Sequence, residues 1–135
     1  HSLRVQKKVR ASIGRCWFNA RRLVMNHKGY EDASYVEGFY IREDGGWDQH
    51  GWVVYNGVIL DPTLPMEGNR YFPGLQFRGK EAIEAFLKDK GKGHKMKPFH
   101  WAFGWGGSES ESYTRAFRLS IASMKLQIVE SEVTT

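Results

Sequence analysis

The sequence predicts an α+β domain in which an N-terminal helix carrying the only cysteine packs on an antiparallel sheet, with additional helices toward the C-terminus. Three observations predict it. Apolar residues recur at helical spacing over Arg15–Met25, and again over Lys80–Lys88 and Tyr113–Leu126. Between these stretches lie two runs rich in β-branched and aromatic residues, Ser34–Arg42 and His50–Thr63. The second run is split by Asn56-Gly57, and both of these residues tolerate the positive φ of a type I′ turn, the strongest short-range hairpin signal. At 135 residues the chain fits one domain, 1–135.

Residues 1–13 lack clean periodicity and are expected to form a short helix or an arm, broken by Gly14. In the helix over Arg15–Met25, Cys16, Ala20, Leu23 and Val24 fall near one face, while Arg21 and Arg22 point away. Gly29, within a polar segment, stops it. Ser34–Arg42 reads as a strand in which Gly38 marks a bulge or a close backbone approach. Asp44-Gly45-Gly46 is a turn, so the strand and the following hairpin form an antiparallel meander. A turn at Asn56-Gly57 sets the register: Tyr55 opposes Val58, Val54 opposes Ile59, Val53 opposes Leu60, Trp52 opposes Asp61 and His50 opposes Thr63. Leu64–Arg70 is an irregular connection, and Tyr71–Phe77 is aromatic with a turn at Pro73-Gly74. The helix over Lys80–Lys88 ends at Gly91-Lys92-Gly93. Ser108–Ser112 is a polar loop, and the last helix, Tyr113–Leu126, places Ala116, Phe117, Ser120 and Met124 near one face. Val129–Thr135 is expected to fray.

The net charge is +5. Arg4, Lys7, Lys8, Arg10, Arg15, Arg21 and Arg22 form one basic run, and Lys88, Lys90, Lys92, Lys95 and Lys97 a second. Such a rim suits an acidic protein or peptide partner, and no recognised nucleic-acid-binding module accompanies it. No apolar run approaches the length that crosses a bilayer. A single cysteine rules out an intramolecular disulfide framework and a multi-cysteine zinc site, and fits a reducing, cytoplasmic setting. No secretory signal opens the chain, an absence weakened by its start at His1-Ser2 without methionine.

The hairpin register carries the chemistry. Opposed residues share a face and side chains alternate along a strand, so His50, Trp52, Asp61 and Thr63 project from one side. His50 and Asp61 become diagonal neighbours, at roughly 7 Å or less between Cβ atoms, close enough for a carboxylate to reach an imidazole nitrogen. Cys16 opens a helix, where unpaired N–H groups and the helix dipole favour a thiolate. Taken alone, a lone cysteine is more often a small buried anchor. Beside His50 and Asp61 it supplies what nucleophilic acyl transfer requires: Cys16 as nucleophile, His50 as base, Asp61 as the group that fixes the tautomer. The Cys16 N–H faces the nucleophile as an oxyanion donor. Trp17, Trp52 and Gln6 are the candidates for a second donor, and Asn19 lies one helical turn after Cys16, either bracing the site or as a surface amide.

Cys16-Trp17-Phe18-Asn19-Ala20, the glycine-containing strand Tyr35–Tyr40, His50-Gly51-Trp52-Val53-Val54 and Val58-Ile59-Leu60-Asp61-Pro62-Thr63 resemble the core of the transglutaminase-like cysteine enzymes, a superfamily of the papain-like fold. The resemblance covers about Gly14 to Thr63 and implies that Cys16, His50 and Asp61 are nucleophile, base and orienting acid. Gly51 stands where many members carry alanine, a difference expected to matter little sterically. The superfamily includes peptidases, amide-crosslinking enzymes, deamidases, peptide N-glycanases and inactive members, so fold alone does not choose among them.

The expected function is therefore a cysteine-dependent protease, amidohydrolase, deamidase or transglutaminase that acts on a protein or peptide amide through a thioester, with no cofactor and no metal. Trp52, Trp101 and Trp105 are the expected substrate-binding residues, the last two within an aromatic segment, Lys95–Gly107, that either lines a groove or covers the core. The competing reading is an inactive fold used as a protein- or nucleic-acid-binding module; a third is a small-molecule or metal-binding domain, with His50, Asp48 and Asp61 as possible metal ligands. His100 is an alternative base, but the sequence register places no aspartate beside it.

Overall fold

A computed structural model of the chain describes residues 16–43, 45–63, 68–90, 93, 97–103 and 108–134, with the backbone alone for 108–109 and 126–134. The expected N-terminal arm with Gln6, Gly14, most of the connection after Thr63, Gly91-Lys92 and Trp105 lie outside those residues. Among the described residues the fold is α+β. The order is helix α1 (Cys16–Asn26), strands β1 (Ser34–Ile41), β2 (Trp47–Tyr55), β3 (Val58–Leu60) and β4 (Arg70–Arg78), helix α2 (Gly79–Lys90), a 3₁₀ turn at Phe99–Ala102 and helix α3 (Ser108–Thr134). The strands form one antiparallel sheet in the order β3-β2-β1-β4. None of these helices is long and apolar enough to cross a membrane.

The β2–β3 hairpin takes the expected register, with Tyr55 opposite Val58, Val54 opposite Ile59 and Val53 opposite Leu60. Its turn has φ of 51° at Asn56 and 74° at Gly57, the paired positive values of a type I′ turn. Gly38 is the expected point of close approach: a Cβ there would stand 2.2 Å from the Phe72 carbonyl oxygen, and the β1–β4 register shifts between Glu37 and Gly38.

That bulge corrects the turn expected at Pro73-Gly74. β4 runs straight through both residues, with Pro73 opposite Gly38 and Leu75 opposite Glu37, so Gly74 is the extra residue of the bulge. Proline is tolerated because β4 is an edge strand and the ladder is already interrupted there. A second correction concerns Ser108–Ser112, which is the first part of α3 rather than a loop. Glu111 puts negative charge in the first turn of this helix, where the dipole favours it. The same helix continues to Thr134, through the segment expected to fray.

The core lies between the sheet and the helices. Ala20, Leu23 and Val24 of α1, Ile83 and Phe86 of α2, Tyr35, Val53 and Leu60 of the sheet, and Phe99 of the 3₁₀ turn form one buried cluster. The Phe86 and Phe99 rings stack with centroids 3.9 Å apart. A further aromatic group fixes α3: Phe39 packs on Tyr113 and Phe117 with centroids 4.9 and 5.4 Å away, and the Trp47 indole N–H donates to Ser120 Oγ at 3.0 Å.

Arg21 departs from its expected outward position. It is buried, its Nη1 donates to the Tyr35 hydroxyl at 2.8 Å and its Nη2 to the Lys97 carbonyl at 2.8 Å. The guanidinium also covers the Phe99 ring at 4.3 Å. What makes this burial tolerable is Glu37, a wholly buried carboxylate 3.6 Å from Arg21 Nη1.

Candidate active site

His50 follows from the pleat of β2 and Asp61 from the end of β3, so the positions of both derive from the Asn56-Gly57 turn. His50 is 2% exposed and Asp61 fully buried, with His50 Nε2 2.6 Å from Asp61 Oδ2. Asp61 is itself held. Its Oδ2 accepts the Tyr71 hydroxyl at 2.7 Å, and its Oδ1 accepts the Thr63 N–H at 2.9 Å. With Nε2 committed to the carboxylate, Nδ1 is the ring nitrogen that remains, and Cys16 is close enough to act on the charge of His50. The imidazole is therefore held by the carboxylate that the hairpin register sets beside it.

Burial pulls the His50 pKa down, but the hydrogen bonds and negative charges of Asp61 and Cys16 outweigh it and raise the value to about 9. Around the ring stand Tyr40, Trp52 and Tyr71, with centroids 4.8, 6.1 and 6.3 Å away. Burial first, and then the negative charge of Asp61, hold the Tyr71 phenol far above its ordinary pKa, so it remains a donor to the carboxylate.

Asn19 braces the site. Fully buried, it donates from Nδ2 to Thr63 Oγ1 at 2.9 Å, tying α1 to the segment that fixes Asp61. Trp52 is 1% exposed and packs edge-on against Tyr71 at 5.0 Å, so it supports the His50 layer and presents no surface to a substrate, which corrects its expected binding role. Trp101 is 62% exposed beside His100, in a position where it can meet a ligand.

Trp17 lies over Gly51, and here the steric expectation was wrong. A Cβ at residue 51 would stand 2.8 Å from Trp17 Cδ1 and 3.1 Å from Trp17 Cα. The absent side chain lets the start of α1 settle onto β2, next to His50. The Trp17 indole N–H is buried with no hydrogen-bond partner among the described residues.

The sequence reading missed three participants. Tyr71 became visible only once β4 was seen to run through Pro73-Gly74, because that pairing sets Tyr71 opposite Tyr40. Glu37 had a signal: it is the sole carboxylate in the apolar run Tyr35–Ile41. It accepts the Phe99 and His100 N–H groups at 2.6 and 2.9 Å, the His100 Nδ1–H at 2.7 Å, and the Tyr35 hydroxyl. His100 thus has a carboxylate partner after all, a glutamate from β1. The third is Tyr113, whose ring stacks on His100 at 4.3 Å and 17°.

Among the described residues no group of three or more His, Cys, Asp or Glu is arranged to hold a metal ion. Asp48, considered as a ligand beside His50, accepts its neighbour's Gln49 N–H at 2.7 Å. Chemically, an imidazole between a thiol and a carboxylate can hold the proton whose removal makes sulfur nucleophilic. No protein-family model, curated protein or solved structure matches this chain.

Proposed function

We propose that the chain is a cysteine-dependent acyl-transfer enzyme acting on amide bonds through Cys16, His50 and Asp61, in the manner of the transglutaminase-like branch of the papain-like fold. The observation that carries this reading is the buried His50–Asp61 contact of 2.6 Å, supported by the influence of Cys16 in raising the pKa of the same imidazole. His50, protonated up to a pH of about 9, keeps the proton that the thiol has given up. The thiolate adds to the amide carbonyl carbon, and the developing oxyanion meets the Cys16 N–H. When the carbonyl re-forms, the C–N bond breaks and the amine leaves with the proton from His50. Water resolves the thioester in a protease, amidohydrolase or deamidase, and an amine resolves it in a transglutaminase. The net charge of +5 favours an acidic protein or peptide substrate, with the exposed Trp101 among its contacts, and a lone thiol fits a reducing compartment such as the cytoplasm.

Alkylation by iodoacetamide tests the assignment without a known substrate, because Cys16 is the only cysteine and mass spectrometry reads its modification unambiguously. An ordinary thiol with pKa about 8.5 is about 0.3% ionised at pH 6. The wild-type protein should therefore react at pH 6 about 100-fold faster than His50→Ala. Equal rates in the two proteins would remove the His50–Cys16 pair from the mechanism. Slow alkylation of both would favour a binding module with a structural cysteine.

A further inference from the structure

Helices α1 and α2 leave between them a groove of about 270 Å³, open along one side. Its apolar walls are Phe18 and Met25 of α1 and Leu87 of α2, all half-buried, together with the wholly buried Ile83. Its polar lining is Arg21, Arg22 and Asn26. Phe18, Arg22 and Asn26 recur every four residues and so form one row along α1. Within that row the Arg22 guanidinium covers the Phe18 ring at 5.5 Å. Phe18 stands about 200° around the helix from Cys16. The groove is therefore distinct from the candidate active site.

The lining contains no carboxylate. Arg21 is committed to Glu37, the Tyr35 hydroxyl and the Lys97 carbonyl. The Arg22 and Asn26 side chains, by contrast, form no ion pair or hydrogen bond with another described residue. Arg22 thus holds a fork of donors that matches the two oxygens of a carboxylate, and the Asn26 amide adds another one helical turn on. The Asn26 carbonyl is the one side-chain acceptor in the lining, so a peptide backbone laid in the groove would leave its N–H groups unpaired, and a cation would meet Arg22. What the lining matches is a single negative charge joined to an apolar tail. At about 30 Å³ for each water-sized group, the groove holds about nine non-hydrogen atoms.

We propose that the groove between α1 and α2 is a binding site for a monocarboxylate with an unbranched apolar tail of about eight carbons, the carboxylate on Arg22 and Asn26 and the tail between Phe18 and Met25 on one side and Leu87 on the other. Binding is non-covalent and does not depend on the acyl-transfer reading. A methylene withdrawn fully from water strengthens binding about fourfold. With one side of the groove open, about half of that gain in free energy is realised, or about twofold per methylene.

Titration of the full chain with octanoate, followed by calorimetry and by methyl NMR of the methionines, tests the site. Octanoate should bind saturably, about 15-fold more tightly than butanoate, and should shift the Met25 methyl most among the four methionines. Octanol keeps the tail without the charge and should bind about 10-fold more weakly than octanoate. Arg22→Gln should lose the same factor toward octanoate and nothing toward octanol, whereas Leu87→Gln should weaken both about fivefold. No saturable binding, a largest shift at another methionine, or equal affinity of the wild type and Arg22→Gln for octanoate overturns the proposal. Tighter binding of acetyl-leucyl-glutamate than of octanoate also overturns it and assigns the groove to a peptide segment. An octanoate affinity that falls as protein concentration rises does the same in favour of a second copy of the chain.

Discussion

Replacing Asp61 by asparagine perturbs one atom of the site and has a calculable outcome. Asp61 receives His50 and Tyr71 on Oδ2 and the Thr63 N–H on Oδ1. With the amide oxygen kept on Thr63, the NH2 group faces both other partners. The imidazole can respond only by presenting Nε2 as an acceptor, which moves its proton to Nδ1, toward Cys16, where it cannot take the proton of the thiol. Acylation of Cys16 should fall by about 10³–10⁴. Stability changes in a pH-dependent way. Raising His50 from its ordinary 6.5 to about 9 favours the folded state by about 3 kcal/mol. Because the folded value is the higher one, that contribution is complete below pH 6.5 and is lost as pH rises through 9. Asp61→Asn removes the charge responsible while burial still pulls the His50 pKa down. The stability gap between the two proteins, from urea denaturation, should therefore be about 3 kcal/mol wider at pH 6 than at pH 10. Other groups titrating in that window are common to both proteins and cancel in the difference. A gap independent of pH, or a His50 ring that still titrates near 9 in Asp61→Asn by NMR, would refute the reasoning.

Gly51→Ala should destabilise the fold by about 2 kcal/mol and slow iodoacetamide at Cys16, because the new methyl lifts Trp17 and the helix start from β2; an unchanged Tm and alkylation rate would show that α1 yields freely. Arg21→Ala should cost about 3 kcal/mol in chemical denaturation by leaving the buried Glu37 without its cation. Tyr71→Phe removes a single donor from Asp61 and should cost about 1 kcal/mol, with the His50 titration moving upward in NMR because the carboxylate then has one fewer partner to share its charge.

How much of this was legible depends on the distance over which each feature is specified. The Asn56-Gly57 turn is a local signal with a fixed geometric consequence, and it delivered the hairpin register and the His50–Asp61 contact from two adjacent residues. The helix bearing Cys16 was likewise written in its own periodicity. Tyr71 was hidden because its position depends on β4 pairing with β1, and Pro73-Gly74 reads locally as a turn until the glycine opposite it, Gly38, is known to accept the bulge. Arg21 on a helix reads as surface, since nothing nearby in sequence announces the carboxylate that meets it. Gly51 misled for a related reason: tolerance of a methyl group is set by Trp17, on another element.

Glu37 does for the 3₁₀ turn what a neighbouring strand does for a strand. The backbone amides of Phe99 and His100, 62 and 63 positions away in the chain, donate to its two carboxylate oxygens, so an irregular segment is sealed to the sheet without a ladder of carbonyls. Those two amides should exchange with solvent deuterium as slowly as amides in the centre of β1. Glu37→Gln would unlatch them together, making hydrogen exchange at two distant backbone positions a readout of one buried side chain.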